Sequence, residues 1–529
     1  MTTQMTAYRP QIKAGGDGFI QLLRSEWTKF RTVRAWLITL VASAAVIVGL
    51  SFLGASGSHS SFCPTPTTCT GHPPVATGPG GQPVADDYMY VHQPLAGDGT
   101  ITARVTSLAG GHTSGNGVGV APGPNGQPQL RSQLHTGLAP WAKAGLLVEP
   151  DTSQGVAYAA VMVTGGHGVQ MQYNYTHDRS GLAGSVDSSS PRWLRLSRAG
   201  DVITGYDSAD GTHWTRIGTI RLTGLPSTVQ IGLFVTSPVY FAPGANSGDP
   251  SVATANFDGV STQGDFPRQS WTGEPIGAGD YPDLPGVSTW QPSGGALTVS
   301  GTGDIAPLVG GGIFGGDASA SLLVGGIAGL LVLIVLATLF VTSEYRRGLI
   351  ATTFAASPRR ARVVAAKAVV VGSVAFVAGA VGTAIAVVIS RHVLTVNGNY
   401  LFPLSGPALA RVIVGTGLLL GLAAVLVLAL GTTLRRSAGA VVAGIVVLVL
   451  PFVLGNTLPP GPANWLMRLT PTAAFAVQGI QPHSVLVANA YTPTNGYYPL
   501  SPWAGLAVLC GYTAVALAGA TWLLRRRDV

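Results

Sequence analysis

Two periodicities divide the chain. Six runs are nearly free of charge and show no polar face at helical spacing, so each predicts a helix able to cross the roughly 30 Å of a bilayer's hydrocarbon with about 20 apolar residues. They fall at 35–55, 320–342, 364–390, 407–434, 438–456 and 503–524. From about residue 88 to 305 the apolar period changes to two, with turn residues at short intervals, which predicts an all-β sandwich or jelly roll. Its clearest stretch begins Arg192-Trp193-Leu194-Arg195-Leu196, where Leu194 and Leu196 face a core, and Asp210-Gly211 signals a hairpin before Trp214. Residues 144–148 and 230–235 predict inner strands. The 56–87 segment is rich in Gly, Pro, Ser and Thr and reads as a stalk, and 306–319 as a linker.

Ahead of the first span, Phe19, Ile20, Leu23, Trp27, Phe30 and Val33 recur at spacings of mostly three and four, while Arg24, Glu26, Lys29 and Arg31 take other faces. Residues 1–34 are thus a basic segment carrying an amphipathic helix laid on the membrane surface, with Phe19, Leu23, Trp27 and Phe30 as its interface residues. Basic residues collect in every second connection: before the first span, at Arg346, Arg347, Arg359, Arg360 and Arg362, at Arg435 and Arg436, and at Arg525, Arg526 and Arg527. Because positive loops stay cytoplasmic, both termini, the 343–363 segment and the 525–529 tail are expected inside a plasma membrane, with 56–318 and 457–502 outside. The basic region ahead of the first span is too long for the start of a signal peptide.

Composition supports the membrane reading. Charged residues are 10 % of the chain and hydrophobic ones 47 %, where ordinary soluble proteins carry about 25 % charged. The net charge of +8 does not point to nucleic acid, since the chain has only four lysines, Lys13, Lys29, Lys143 and Lys367, and its arginines cluster beside apolar runs. Cys63 and Cys69 lie in the stalk, where a small disulfide loop suits the spacing better than a metal site. Cys510 is an inert packing residue of the sixth span. No cofactor or metal site is expected.

The chemistry available inside the spans is narrow. None contains an acid, and Lys367 and Arg411 lie near span ends, where both are placed to snorkel, so an intrinsic proton or ion relay is not expected. A phosphate loop needs Lys followed by Ser or Thr, whereas the four lysines precede Ala14, Phe30, Ala144 and Ala368. The chain is therefore not expected to be an enzyme, and any ATP hydrolysis belongs to a partner subunit. Glu149 and Glu274 are the only glutamates between 56 and 318, and Glu149-Pro150-Asp151-Thr152-Ser153-Gln154 lacks the last acid of a retaining-glucanase strand. Asp98, Asp201 and Asp210 read as turn residues rather than calcium ligands.

Three segments of the β region, "WAKAGLLVE", "WLRLSRAGDVITGYDSADGTHWTRIG" and "ATANFDGV", resemble the concanavalin A-like lectin/glucanase sandwiches. That resemblance implies a fold and no activity. "LLRSEWTKFRTVRAW", "EYRRGLIATTFAASPRRARVVAAK" and "WLMRLTPTAAFA" resemble the N-terminal interface helix, the coupling segment and an outer segment of the permease subunits of type-2 ATP-binding-cassette (ABC-2) exporters, in their actinobacterial form. The resemblance implies a six-helix membrane fold with an inserted β-sandwich. It also implies a separate ABC ATPase subunit as partner, a second permease copy or related permease, and no nucleic acid. It places Glu344, Arg346, Arg347, Gly348, Pro358, Arg359 and Arg360 where a permease meets its ATPase. Glu344 would pair there with a partner arginine or with Arg347, and Gly348 would break the chain after the second span. The rival reading is a membrane-tethered receptor or adhesin whose sandwich binds glycan or cell wall.

Overall fold

The computed structural model describes residues 18–59, 62–65, 68–70, 72, 75–113, 134–242, 248–267, 270–277, 287–309, 318–356, 359–480, 484–487, 493 and 496–526. The chain divides into two compact units, one of 1–59, 316–480 and 492–529, the other of 60–315 and 481–491.

The first unit is helical. Its helices are α1 (Phe19–Thr32), α2 (Arg34–Ser56), α3 (Ala318–Arg346), α4 (Leu349–Ala356), α5 (Arg360–Val396), α6 (Gly406–Leu434), α7 (Ser437–Leu448), α8 (Leu450–Thr457), α9 (Pro460–Leu469) and α10 (Pro502–Arg526), with a 3-10 helix at Pro471–Gln478 between the last two. Among the described residues, six stretches are long and apolar enough to cross a membrane: α2, Gly325–Arg346 of α3, α5, α6, the α7–α8 pair and α10. They match the six runs expected from the sequence, with two differences. The third helix extends well past the run at both ends. The fifth is interrupted at Val449, because Pro451 has no N–H to donate and its ring crowds the carbonyl of Val447. Val449 and Val453 carry the hydrogen bonding across the break.

Glycines bring these helices together, since a residue without Cβ allows backbones to approach. A Cβ on Gly325 would fall 2.4 Å from the Ile47 carbonyl oxygen of α2, one on Gly421 2.9 Å from the Gly372 carbonyl of α5, and one on Gly505 2.1 Å from that of Ala473. The core threads α3, α5 and α6 through Leu333, Ala337, Val371, Ala375, Leu420 and Val427.

The second unit is a large, almost wholly antiparallel β-structure that folds over on itself, jelly-roll fashion. The 25-residue strand Tyr88–His112 serves both layers: its first half pairs with Thr228–Thr236, and its second with Arg192–Ala199 and Ser251–Asp265. Alternate residues of these strands, Val91, Leu146, Val161, Leu194, Leu196, Ile203, Leu233 and Phe257, meet in one core. Leu194 and Leu196 are both fully buried, as their alternation requires. Gly205 lets the layers close, because a Cβ there would strike Val161 and Met171.

The stalk differs from expectation at its end. Ala76–Thr77 and Pro83–Asp86 are strands that pair with each other, and Pro83–Asp86 also pairs with Ile305–Pro307, forming a small three-stranded sheet from the two ends of this unit. Phe62–Thr65 and Thr68–Thr70, the strands bearing Cys63 and Cys69, pair antiparallel. The side chains of that disulfide prediction lie outside the described residues, as does Pro358.

Candidate functional site: a buried charge cluster in the helical unit

Half of the chain's lysines and half of its glutamates meet at one point. Lys367 of α5 is almost completely buried. Its Nζ donates to Glu26 Oε2 of α1 at 2.8 Å and to Glu344 Oε1 near the end of α3 at 2.7 Å. Lys29, one α1 turn beyond Glu26, donates to Glu26 Oε1 at 2.8 Å and to Glu344 Oε1 at 3.3 Å. Two ammonium groups and two carboxylates thus cancel. That balance makes the site tolerable, because one uncompensated charge in such surroundings costs several kcal/mol. Phe340 lies beside Lys367, its ring centroid 5.2 Å from Nζ, and Phe30 packs on Phe340. Burial alone would lower the Lys29 pKa, but its hydrogen bonds and charge contacts with the two glutamates hold it above the ordinary lysine value.

Three sequence expectations change here. Lys367 does not snorkel, since it has anionic partners within the protein. Glu26 is buried, where helical spacing had set it on a polar face of α1. Glu344 bonds to lysines of its own chain and not to Arg347, and its Oε2 has no hydrogen-bond partner.

The four interface residues of α1 divide. Phe30 is buried in the helical core and Leu23 half-buried against it, whereas Phe19 and Trp27 remain exposed. Beyond Glu344, the side chains of Arg346 and Arg347 are exposed. Gly348 turns the chain with φ of 71°, a left-handed value that favours glycine, and α4 starts with Leu349 exposed and Ile350 buried. Arg359 is exposed, while Arg360 is half-buried and donates to the Leu524 carbonyl of α10. Arg435, itself left-handed at φ 55°, ends α6 with its guanidinium over the Tyr345 ring at 5.5 Å. Arg411 also departs from snorkelling, donating to the Gly479 carbonyl at the end of the 3-10 helix at 2.6 Å.

In the β unit, Glu274 lies on the Thr272–Ile276 strand paired with Tyr88–His112, and Glu149 ends the Lys143–Glu149 strand, one strand removed from Tyr88–His112 across Thr228–Thr236. Glu149 is buried and accepts from the Tyr88 hydroxyl at 2.7 Å, while half-exposed Glu274 lies 3.2 Å from His92 Nε2. Burial pushes the Glu149 carboxyl well above the usual range, and the charges of Asp86, Asp151 and Glu274 add to that against the Tyr88 hydrogen bond. Asp98, Asp201 and Asp210 accept backbone N–H groups of turns. Among the described residues, no group of three or more His, Cys, Asp or Glu is placed to hold a metal ion.

No protein-family model and no curated protein matches the chain. Among solved structures, a functionally unknown protein from Saccharomyces cerevisiae is similar at 15 % identity and TM-score 0.20, over 39 % of this chain and 92 % of its own. Scytalido-glutamic peptidase, solved with a transition state analog inhibitor, is similar at 9 % identity and TM-score 0.25, over 40 % of this chain and 98 % of its own. Likenesses this distant decide neither fold nor chemistry.

Proposed function

We propose that the chain is the membrane-spanning permease subunit of an ABC-type exporter, driven by a separate ATP-binding subunit. The observation that carries the reading is the Glu26–Lys29–Glu344–Lys367 cluster. A helix that merely anchors a protein to lipid has no need of a buried carboxylate, and a tethering span has no need of a buried lysine. Here both exist, and they make α1, the end of α3 and the start of α5 one mechanical unit.

The segment following α3 hangs directly from that unit. Arg346, Arg347 and the apolar Leu349 are the exposed groups a partner would grip, and a push on them is delivered to Glu344, hence to α1 and α5. With the chain lacking a phosphate-loop lysine, the push has to come from another subunit's ATP cycle. A second permease copy or a related permease would complete the pathway through the bilayer.

The reading is tested by purifying the tagged chain from its native membrane in mild detergent. An ATPase bearing a Walker A motif is expected to accompany it, and Arg346→Glu with Arg347→Glu is expected to release that ATPase while the chain still folds. Recovery of the chain without any such ATPase, under conditions that preserve other membrane complexes, would overturn the proposal.

A further inference from the structure

The three-stranded sheet of Ala76–Thr77, Pro83–Asp86 and Ile305–Pro307 joins the two ends of the β unit, where the sequence leads back to α2 and on to α3. It belongs to the cluster containing Tyr88, Tyr90, Leu147, Tyr158, Met162 and Phe234, which lies apart from the main core. Its fastenings are polar and buried. Asp304, just before the last strand, accepts from Lys143 Nζ at 2.6 Å, and the same ammonium donates to the Ile305 carbonyl. Asp86 Oδ2 accepts from the Gly155 N–H at 2.7 Å and from the Tyr175 hydroxyl at 2.8 Å, and Gln154 donates to the Asp86 carbonyl.

Of the three buried carboxyl groups Asp86, Glu149 and Asp304, only Asp304 bonds a lysine, the buried Lys143. Asp86 and Glu149 have only hydroxyl and N–H donors, and Glu149 Oε1 has no hydrogen-bond partner. The remaining ionisable groups around them are the phenols Tyr88, Tyr90, Tyr158 and Tyr175, the acids Asp87, Asp151, Asp178 and Glu274, and His92, which stacks on Tyr90 and lies 3.2 Å from Glu274. Two carboxylates in so dry and anionic a place repel each other and everything nearby, whereas two neutral carboxyls fit it.

We propose that this small sheet is a pH-released clasp, shut while Asp86 and Glu149 hold their protons and loosened when they ionise, freeing the aromatic surface of Tyr88, Tyr90 and Phe234. Burial, with the charge of Asp87 adding to it and the Gly155 and Tyr175 hydrogen bonds opposing it, pushes Asp86 up to about 7, within reach of ordinary extracellular pH. The clasp rests on the β unit alone and stands or falls separately from the permease reading.

Hydrogen exchange of the full-length protein in detergent, corrected for the intrinsic pH dependence of amide exchange, tests it. Between pH 5.5 and 8.5 the amides of residues 84–86 and 305–306 are expected to open about thirtyfold more often, the part of one carboxyl's shift to about 7 that falls above pH 5.5. Amides of the Arg192–Ala199 strand should not change. Asp86→Asn keeps an acceptor for Gly155 and Tyr175 and should remove most of the dependence, and Glu149→Gln should remove the remainder. Equal clasp protection at both pH values in the wild-type protein, or an undiminished dependence in both variants, overturns the proposal. The wild-type comparison decides the matter even where a variant fails to fold.

Discussion

Lys367 shows how much of a charged residue's role depends on what comes to meet it. In sequence it is a lysine near the end of an apolar run, and the physical rule for such a lysine is that its long stem reaches the interface. In the fold it is enclosed by Glu26, distant by 341 positions, and by Glu344. Replacing it by Met leaves two buried carboxylates with half-exposed Lys29 as their cation, and breaking a buried network in this way costs about 3–5 kcal/mol. A lowered melting temperature of the detergent-solubilised protein is expected, larger for Lys367→Met than for Lys29→Met. Glu344→Gln keeps the shape and one acceptor, so it should fold yet weaken the coupling of transport to the partner's ATP turnover. The matched control is Arg436→Ala, whose side chain is exposed, because Arg435 lies on Tyr345 of the same segment.

Asp86 gives a second measurement at this scale. Its folded pKa, about 7, lies above the ordinary carboxyl value, so the native state holds the proton more tightly than the unfolded chain does. The stability from this group is complete below about pH 4 and is lost as the pH climbs to 7. Melting of the β unit followed at pH 4, 5.5 and 7 should decline in that order, and Asp86→Asn should flatten the trend.

At the scale of the element, what repeats was legible and what is unique was not. Uncharged apolar length marks α2, α3, α5, α6, the α7–α8 pair and α10, and a two-residue period marks the Arg192–Ala199 and Val202–Ser208 strands, because burial of one sheet face imposes that period whatever the partner, whereas the short α4 and α9 carry neither signal. The small three-stranded sheet carries no such signal because Pro83-Val84-Ala85-Asp86 is short, sits in a Gly- and Pro-rich stretch and finds its partner at Ile305. The break at Val449 was signalled by Pro451, though the apolar run around it is continuous. Of the candidate site, Glu344 and the amphipathic character of α1 could be read directly. Glu26 and Lys367 could not, since no local pattern tells a buried polar residue its partner. Helix packing at this scale is tested by Gly325→Ile, which drives a branched side chain into the Ile47 carbonyl. A loss of about 1–3 kcal/mol, seen as a lower detergent melting temperature, is expected, against little change for Gly439→Ala, where space is open.

For the whole molecule, the described residues hold six membrane-length helices with a β unit inserted between the first and second of them, a plan compatible with a multi-pass membrane protein. Reporter fusions at Gly81 and Gly461 should report the outer side, and fusions at Arg360 and Arg436 the inner side. An inner signal at Gly461 would break the six-span plan. As the proposed permease, this chain would transport only when another subunit supplies ATP energy through the segment attached to Glu344. The most direct test of this is ATP hydrolysis in proteoliposomes containing the purified chain, the co-purified ATPase, or both. No hydrolysis by the chain alone is expected, and a turnover by the ATPase that changes when the chain is present. Sustained hydrolysis by the repurified chain, or an ATPase whose turnover is the same with and without it, would contradict the account.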